Sequence, residues 1–249
     1  MNSYTIFSEY YDKLMHEDFD YEKIADFLEN MFDRYDINAN LICELACGTG
    51  NITIPMAHRG YDMTALDSSY EMLDKARAKA AQSGFYDILF LNQNMTALDL
   101  YGTVDAFYCL VDGMNYVLSS QSLFEMFKKI KTCFLEPGGL FIFDISTEYK
   151  LENIIGDNTF VHNGEDIFYT WENRYIKKRR ISDMFLTFFA KTKNGAYRRF
   201  SERHLQKAHR PDDIVKMLKK AGFTSVDLYD GFCFDEPKEN SERIVFAAR

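Results

Sequence analysis

Three groups of residues in this 249-residue chain have the types and spacing to do chemistry. The first is Leu41-Ile42-Cys43-Glu44-Leu45-Ala46-Cys47-Gly48-Thr49-Gly50, an apolar run that enters a glycine turn. Glycines let a ligand approach the backbone with no Cβ in the way. A helix opening from such a turn offers free N–H groups to an anion such as a carboxylate. Glu44, at the end of the apolar run, can neutralise a ligand ammonium. The second group is Asp67, after the next apolar run, Met63-Thr64-Ala65-Leu66. A carboxylate there, about 20 residues past the glycine turn, accepts bonds from a ribose diol. It could instead only cap the helix that starts near Ser69. The third is Cys109-Leu110-Val111-Asp112-Gly113-Met114-Asn115-Tyr116, which closes another apolar run. Asp112, Asn115 and Tyr116, joined by Tyr11, are candidates for a pocket that holds a second reactant. Asp112 and Asn115 could equally serve only to fix a loop.

These groups need a scaffold that brings strand ends together. Residues 20–34 place Ile24, Phe27, Leu28 and Met31 on one face of a helix. Apolar runs at 41–45, 62–66, 87–91, 104–111 and 140–145 read as strands. Between them, 51–59, 69–83 and 121–135 read as helices. Ser69 is a natural N-cap and Gly84 a natural stop. Alternating strand and helix signals, with nearly continuous apolar strands, predict an α/β, doubly wound, mostly parallel Rossmann-like sheet. In such a sheet the ligand crevice lies at the carboxyl ends of the strands, where all three groups sit.

After Thr147 the texture changes. Residues 148–155 read as a short helix. Three long strand-like runs follow, at 167–176, 181–192 and 196–205. Asn194-Gly195 between two of them is a strong hairpin signal. An antiparallel β lobe of about three strands is therefore expected within 148–210. The body would comprise 1–147 and 211–249, closed by a helix over 212–221 and strands at 224–229 and 244–248.

Ile167, Tyr169, Trp171 and Tyr175 alternate onto one face of the first lobe strand. That face could be simply packed, could meet a second copy of the chain in a homodimer, or could roof the site, with Trp171 on the acceptor. Between Thr159 and Arg210 there are 12 Lys/Arg against 5 Asp/Glu, a net charge of +7. The remainder carries 17 against 33, or -16, so the whole stands at -9. An acidic body argues against a nucleic-acid coat. The basic lobe would favour a compact anionic acceptor, with Arg198, Arg199 and Arg203 better placed than the hairpin tip Lys177-Lys178-Arg179-Arg180.

Other features narrow the class. No apolar run reaches the ~20 residues that span a bilayer, and the start lacks a signal-peptide pattern, so a cytoplasmic location is expected. The five cysteines form no CxxC, and the five histidines join no carboxylate-rich motif, so neither a disulfide framework nor a metal is expected. A nicotinamide dinucleotide would ask for three spaced glycines. Here Ala46 holds the first position and Ile52-Thr53 stand where the third would be.

Taken in order, Glu44–Gly50, Asp67, Asn92-Gln93-Asn94-Met95 and Leu135-Glu136-Pro137-Gly138-Gly139 resemble the motifs of class I S-adenosylmethionine-dependent methyltransferases. Over its full length the chain resembles a group of small bacterial methyltransferases with an antiparallel β insert after strand five. That group includes sugar-amine N,N-dimethyltransferases and is similar to glycine N-methyltransferase. The resemblance implies a reversed last strand and S-adenosyl-L-methionine as cofactor. It also implies roles. Glu44, Ala46, Gly48 and Gly50 would surround the methionine part, and Asp67 the ribose, flanked by Ser68 and Met72. Asn94 would meet the adenine through its side chain and Met95 through its backbone. Leu110 would lie near the sulfonium. The opening Tyr4, Phe7 and Tyr11-Asp12 fit the group, in which an N-terminal tyrosine reaches the cofactor. One departure is Asn94, where the family commonly has Asp. The Asn-Pro-Pro-Tyr type of motif that marks methylation of base amines is absent. The expected acceptor is a small-molecule amine or hydroxyl. RNA or protein methylation, and a non-catalytic S-adenosylmethionine-binding protein, are the alternatives.

Overall fold

The computed structural model describes Tyr11, Asp12 and residues 19–192 and 194–249. Tyr4 and Phe7 lie outside the described residues. Helix α1 (Tyr21–Arg34) is capped by Asp20, whose carboxylate accepts from the Lys23 N–H, and its apolar stripe is buried. Strand β1 (Leu41–Leu45) leads through the glycine turn into α2 (Thr53–His58). Then come β2 (Asp62–Asp67), α3 (Tyr70–Gln82), β3 (Leu89–Asn92), β4 (Val104–Cys109) and α4 (Ser120–Lys129). Strand β5 (Leu135–Ser146) completes the parallel set. Ser69 caps α3 by accepting from the Met72 N–H, as its residue type predicts.

The large sheet has seven strands. It includes β10 (Val226–Asp230) and β11 (Arg243–Ala248), in the order β10-β11-β5-β4-β1-β2-β3. Only β11 runs against the rest, paired antiparallel to both β5 and β10. This is the mostly parallel Rossmann-like sheet with a reversed last strand that the sequence leads one to expect. Strands β1, β4, β5 and β11 are almost wholly buried because both faces are covered. A phenylalanine stack fills one side, with the Phe143 and Phe246 rings nearly parallel and 4.9 Å apart.

Between β5 and helix α5 (Pro211–Ala221) lies a second, antiparallel sheet of β6 (Thr159–Asn163), β7 (Ile167–Ile176), β8 (Ile181–Lys191) and β9 (Tyr197–Lys207). It has four strands rather than about three. The extra one, β6, is a short edge strand with an exposed, weakly alternating sequence, so it carries no clear pattern. Other elements also differ from their expected ends. Strand β4 stops at Cys109 because Val111 and Asp112 both take left-handed backbone angles. The helix expected to reach 135 becomes a π turn at Ile130–Phe134. The short helix expected at 148–155 is likewise a π turn, at Lys150–Ile154.

Strand β5 also runs through the expected Pro137-Gly138-Gly139 turn. Gly139 is required there. A Cβ would lie 2.5 Å from the Asp105 carbonyl oxygen and 2.7 Å from Leu135 Cδ1. The Asp105 carboxylate in turn accepts from the Asn40 and Leu41 N–H groups and fixes the start of β1. Gly139→Ala is therefore expected to cost about 1–3 kcal/mol through overpacking against backbone. Urea unfolding checks this, by a lowered midpoint at an unchanged m-value.

Candidate functional site

Two cavities open at the carboxyl ends of the parallel strands. The first, of about 430 Å³, is lined by Ala46, Leu66, Asp67, Ser68, Asn94, Met95 and Tyr116, among others. Five expected cofactor residues, Ala46, Asp67, Ser68, Asn94 and Met95, thus meet at one space. The turn beneath them is built for close approach. Ala46, Gly48 and Gly50 all have positive φ, at 55°, 56° and 77°. Nothing stands within 4 Å of where a Gly48 Cβ would be.

Asp67 holds this turn as well as lining the cavity. Its Oδ2 accepts from the Gly48 N–H at 2.9 Å and its Oδ1 from the Ser69 N–H at 2.8 Å. Burial raises its pKa, and these backbone donors with Ser68 oppose that rise. Three backbone donors leave the carboxylate acceptor capacity for a hydroxyl of a diol. A cradle of positive-φ residues beside a carboxylate with acceptor capacity to spare fits the nucleoside and amino-acid ends of S-adenosylmethionine.

Several expected cofactor residues sit behind the cavity rather than on it. The Glu44 carboxyl is buried and accepts from Tyr108 at 2.9 Å and from Thr53. It supports the turn from below and does not line the cavity. Met72 and Leu110 are also buried, in the packing of α3 and at the end of β4. Asn94 lines the cavity, but its Oδ1 accepts from both the Thr96 N–H and the Thr96 hydroxyl. The two lone pairs of Oδ1 are spent on Thr96, so what the Asn94 side chain has left to offer a ligand is its Nδ2 donor.

Burial lifts the Glu44 pKa to about 8 from its ordinary 4.5, against the two hydroxyl donors. A raised acid favours its neutral form in the folded state. It contributes stability fully below about pH 4.5 and loses it as the pH rises through about 8. Glu44→Gln is expected to flatten stability across that window relative to the wild type. Urea midpoints taken on either side of it check this, and an equal slope in both proteins contradicts it.

The second cavity, of about 570 Å³, lies between the strand-four loop and the antiparallel sheet. Tyr11, Asp112, Tyr116 and Trp171 meet there, with Phe160, Tyr169, Leu186 and Phe188 in the wall. The strand period explains the wall. The pairings Trp171↔Leu186 and Leu186↔Glu202 put Tyr169, Trp171, Phe188, Glu202 and His204 on one face. The Trp171 indole Nε1–H is buried with no acceptor among the described residues. Burial also raises the Tyr11 phenol well above its ordinary value.

The strand-four loop is held from below. Asp144 is fully buried on β5 and accepts from the Val111 N–H at 3.1 Å and the Asp112 N–H at 2.9 Å. Arg243 on β11 pairs with Asp144 and, at 2.8 Å, with Asp112. Val111 at φ 63° is a β-branched residue in left-handed backbone, and this network fixes it there. Burial pushes the Asp112 carboxyl upward, but Arg243, Lys150 and Ser146 outweigh it and hold it below its usual range.

Two expectations are corrected. Asn115 does not face the cavity. Its amide donates to the Ser146 and Lys207 carbonyls and accepts from the Ser146 N–H, each at 2.9 Å. It latches β5 to β9, which is the loop-fixing reading. Arg199 lies one residue out of phase with Phe200, so the pleat turns it to the exposed opposite face. The lobe's basic charge follows it outward: Arg203 pairs with Asp183 and Lys177 with Glu152. The cavity itself carries Asp112 and Glu242 as well as Lys150 and Arg243. The expected draw on an anionic acceptor is therefore absent from its lining. His204 and Gln206, not singled out from the sequence, line it instead. Their signal was alternation with Phe200 on a single strand.

Among the described residues no group of three or more His, Cys, Asp or Glu is placed to hold a metal. No helix among them is long and apolar enough to cross a membrane.

Comparisons with known proteins agree with this geometry. A family profile for a methyltransferase domain matches residues 42–139, which hold the glycine turn, Asp67 and β4. A solved S-adenosylmethionine-dependent methyltransferase from Clostridium acetobutylicum ATCC 824 is 32% identical. It superposes with a TM-score of 0.89 over 100% of this chain and 99% of that one. A protein of Geobacillus sp. (strain WCH70) with a provisional methyltransferase name is 33% identical over 248 residues, 99% of each chain. The sugar N-methyltransferase KedS8 from Streptoalloteichus sp ATCC 53650, at 19% identity and TM-score 0.76 over 96% of this chain and 91% of that one, shares the fold. With the glycine turn, the strand-end carboxylate and the reversed last strand all in place, the chain belongs to the class I S-adenosylmethionine-dependent methyltransferases.

Proposed function

We propose that the protein transfers a methyl group to an amine or hydroxyl of a small organic acceptor that carries an apolar or aromatic ring. One observation carries this reading. Tyr116 lines both the cofactor cavity and the aromatic cavity, so the two are neighbours across one side chain. Bound S-adenosylmethionine supplies a methyl group already activated on a sulfonium. The chain's part is then to position, to exclude water and to hold the acceptor in line. Phe160, Tyr169, Trp171 and Phe188 offer faces and edges for a ring. The Trp171 N–H offers a donor to an acceptor oxygen. Tyr11 and Tyr116 stand where the acceptor would meet the methyl group. KedS8 is a sugar N-methyltransferase, and its fold likeness is compatible with a small amine acceptor here.

The test is a methyl-transfer screen with radiolabelled S-adenosylmethionine over amines, phenols, amino acids, nucleotide-sugars and RNA. Transfer to a ring-bearing amine or hydroxyl is expected, and Trp171→Ala is expected to raise its KM by about tenfold or more through lost aromatic contact. Transfer to RNA alone would overturn the reading.

A further inference from the structure

Methylation of an amine or hydroxyl releases a proton, and the aromatic cavity contains a place to send it. His204 is 4% exposed and lines the cavity from β9. Its Nδ1 lies 3.2 Å from the Tyr116 hydroxyl. Its Nε2 faces Glu202 Oε2 at 3.4 Å. Glu202 is itself buried, and shares the face of the strand because it lies two residues away. Tyr116 is the member that borders the cofactor cavity. The order from the reacting centre outward is therefore Tyr116, His204, Glu202.

The partners also set the direction of the hydrogen bonds. An ionised carboxylate only accepts, so Glu202 favours the proton on Nε2 of His204. Nδ1 then offers its lone pair to the Tyr116 O–H. Asp112, the nearest rival base, is poorly suited. It is tied to Arg243 and accepts from the Ser146 hydroxyl at 2.8 Å. A carboxylate so stabilised in its ionised form is a weak base.

We propose that His204 accepts the proton released by methyl transfer, through the Tyr116 hydroxyl, and that Glu202 orients it. The proposal rests on the amine or hydroxyl reading above. As the acceptor atom forms its bond to the methyl carbon, the carbon–sulfur bond breaks and its electron pair goes to sulfur. The acceptor's proton passes to the Tyr116 oxygen, and the Tyr116 proton passes to His204 Nδ1. Tyr116 ends neutral, and His204 ends as an imidazolium beside the Glu202 carboxylate. The proton then leaves to solvent.

Two measurements test this. The first is the imidazole spectrum of the free protein labelled with nitrogen-15 in histidine, assigned with His204→Gln. The expected tautomer carries its proton on Nε2, and Glu202→Gln is expected to redistribute it. A proton on Nδ1 in the wild type would overturn the relay. The second is methyl transfer to anilines, alkylamines and a phenol series from phenol to 4-nitrophenol, with S-adenosylmethionine affinity measured in parallel by calorimetry. His204→Gln is expected to lower kcat about 100-fold or more for phenol, the least acidic member of the phenol series, whose hydroxyl must give up its proton to attack. The deficit should shrink towards none at 4-nitrophenol, which needs no base, while cofactor affinity holds. A merely structural role would give the same loss for every acceptor. An equal loss across the series, or kcat within about threefold of wild type for phenol, would overturn the role of His204 and leave the methyltransferase reading standing. Wild-type transfer to no amine or hydroxyl would overturn that reading and the role of His204 with it.

Discussion

Arg243→Met is expected to cost about 3–5 kcal/mol of folding stability, the loss typical when one partner of a buried ion pair is removed. The guanidinium joins two carboxylates, the fully buried Asp144 and the partly exposed Asp112. Without it Asp144 stays fully buried and unneutralised, beside the partly exposed Asp112. Asp144 would then take up a proton and hold the Val111 and Asp112 N–H groups less firmly. The left-handed pair at 111–112 would relax and the floor of the aromatic cavity with it. Urea unfolding checks the stability. Asp144→Asn in the Arg243→Met background should recover part of the loss, because it removes a stranded charge. A loss below about 1 kcal/mol, the range of an exposed pair, would show that the network is solvated.

Asp67→Ala is expected to weaken S-adenosylmethionine binding at least tenfold, about 1.5–3 kcal/mol for lost charge-assisted bonds to the ribose. The structure adds a reason for a large effect. The same carboxylate holds the Gly48 and Ser69 N–H groups, so its loss also loosens the turn. Asp67→Asn keeps one acceptor oxygen and should fall between. Calorimetry on the three proteins decides this, with NAD expected not to bind to any. An unchanged affinity in Asp67→Ala would remove Asp67 from the site.

The glycine turn and the strand-end carboxylate were legible in the sequence because they are local. Gly48 and Gly50 announce a turn that needs positive φ, and Asp67 sits at a strand end at a fixed interval. Helix caps such as Ser69 are equally local. What could not be read were contacts set by strand phase and by distant pairing. Asn115 and Arg199 are polar residues in plausible places, yet one is a latch between β5 and β9 and the other faces solvent. Only the register of β8 against β9 separates Arg199 from Phe200 and His204. Glu44 was correctly seen at the strand end, but its partners Thr53 and Tyr108 come from α2 and β4. Burial of a carboxyl between two hydroxyls leaves no trace in composition. Arg243, in the last strand, gives no hint that it closes a network with residues 99 and 131 positions earlier, which are Asp144 and Asp112.

The most direct test of the two-cavity arrangement is a crystal structure of the protein with S-adenosylhomocysteine. The ribose is expected on Asp67, the adenine beside Met95 and Asn94 Nδ2, and the sulfur turned towards Tyr116 with the aromatic cavity open beyond it. Adenine seated between Tyr169 and Trp171, with Asp67 touching no ligand atom, would contradict the assignment of both cavities.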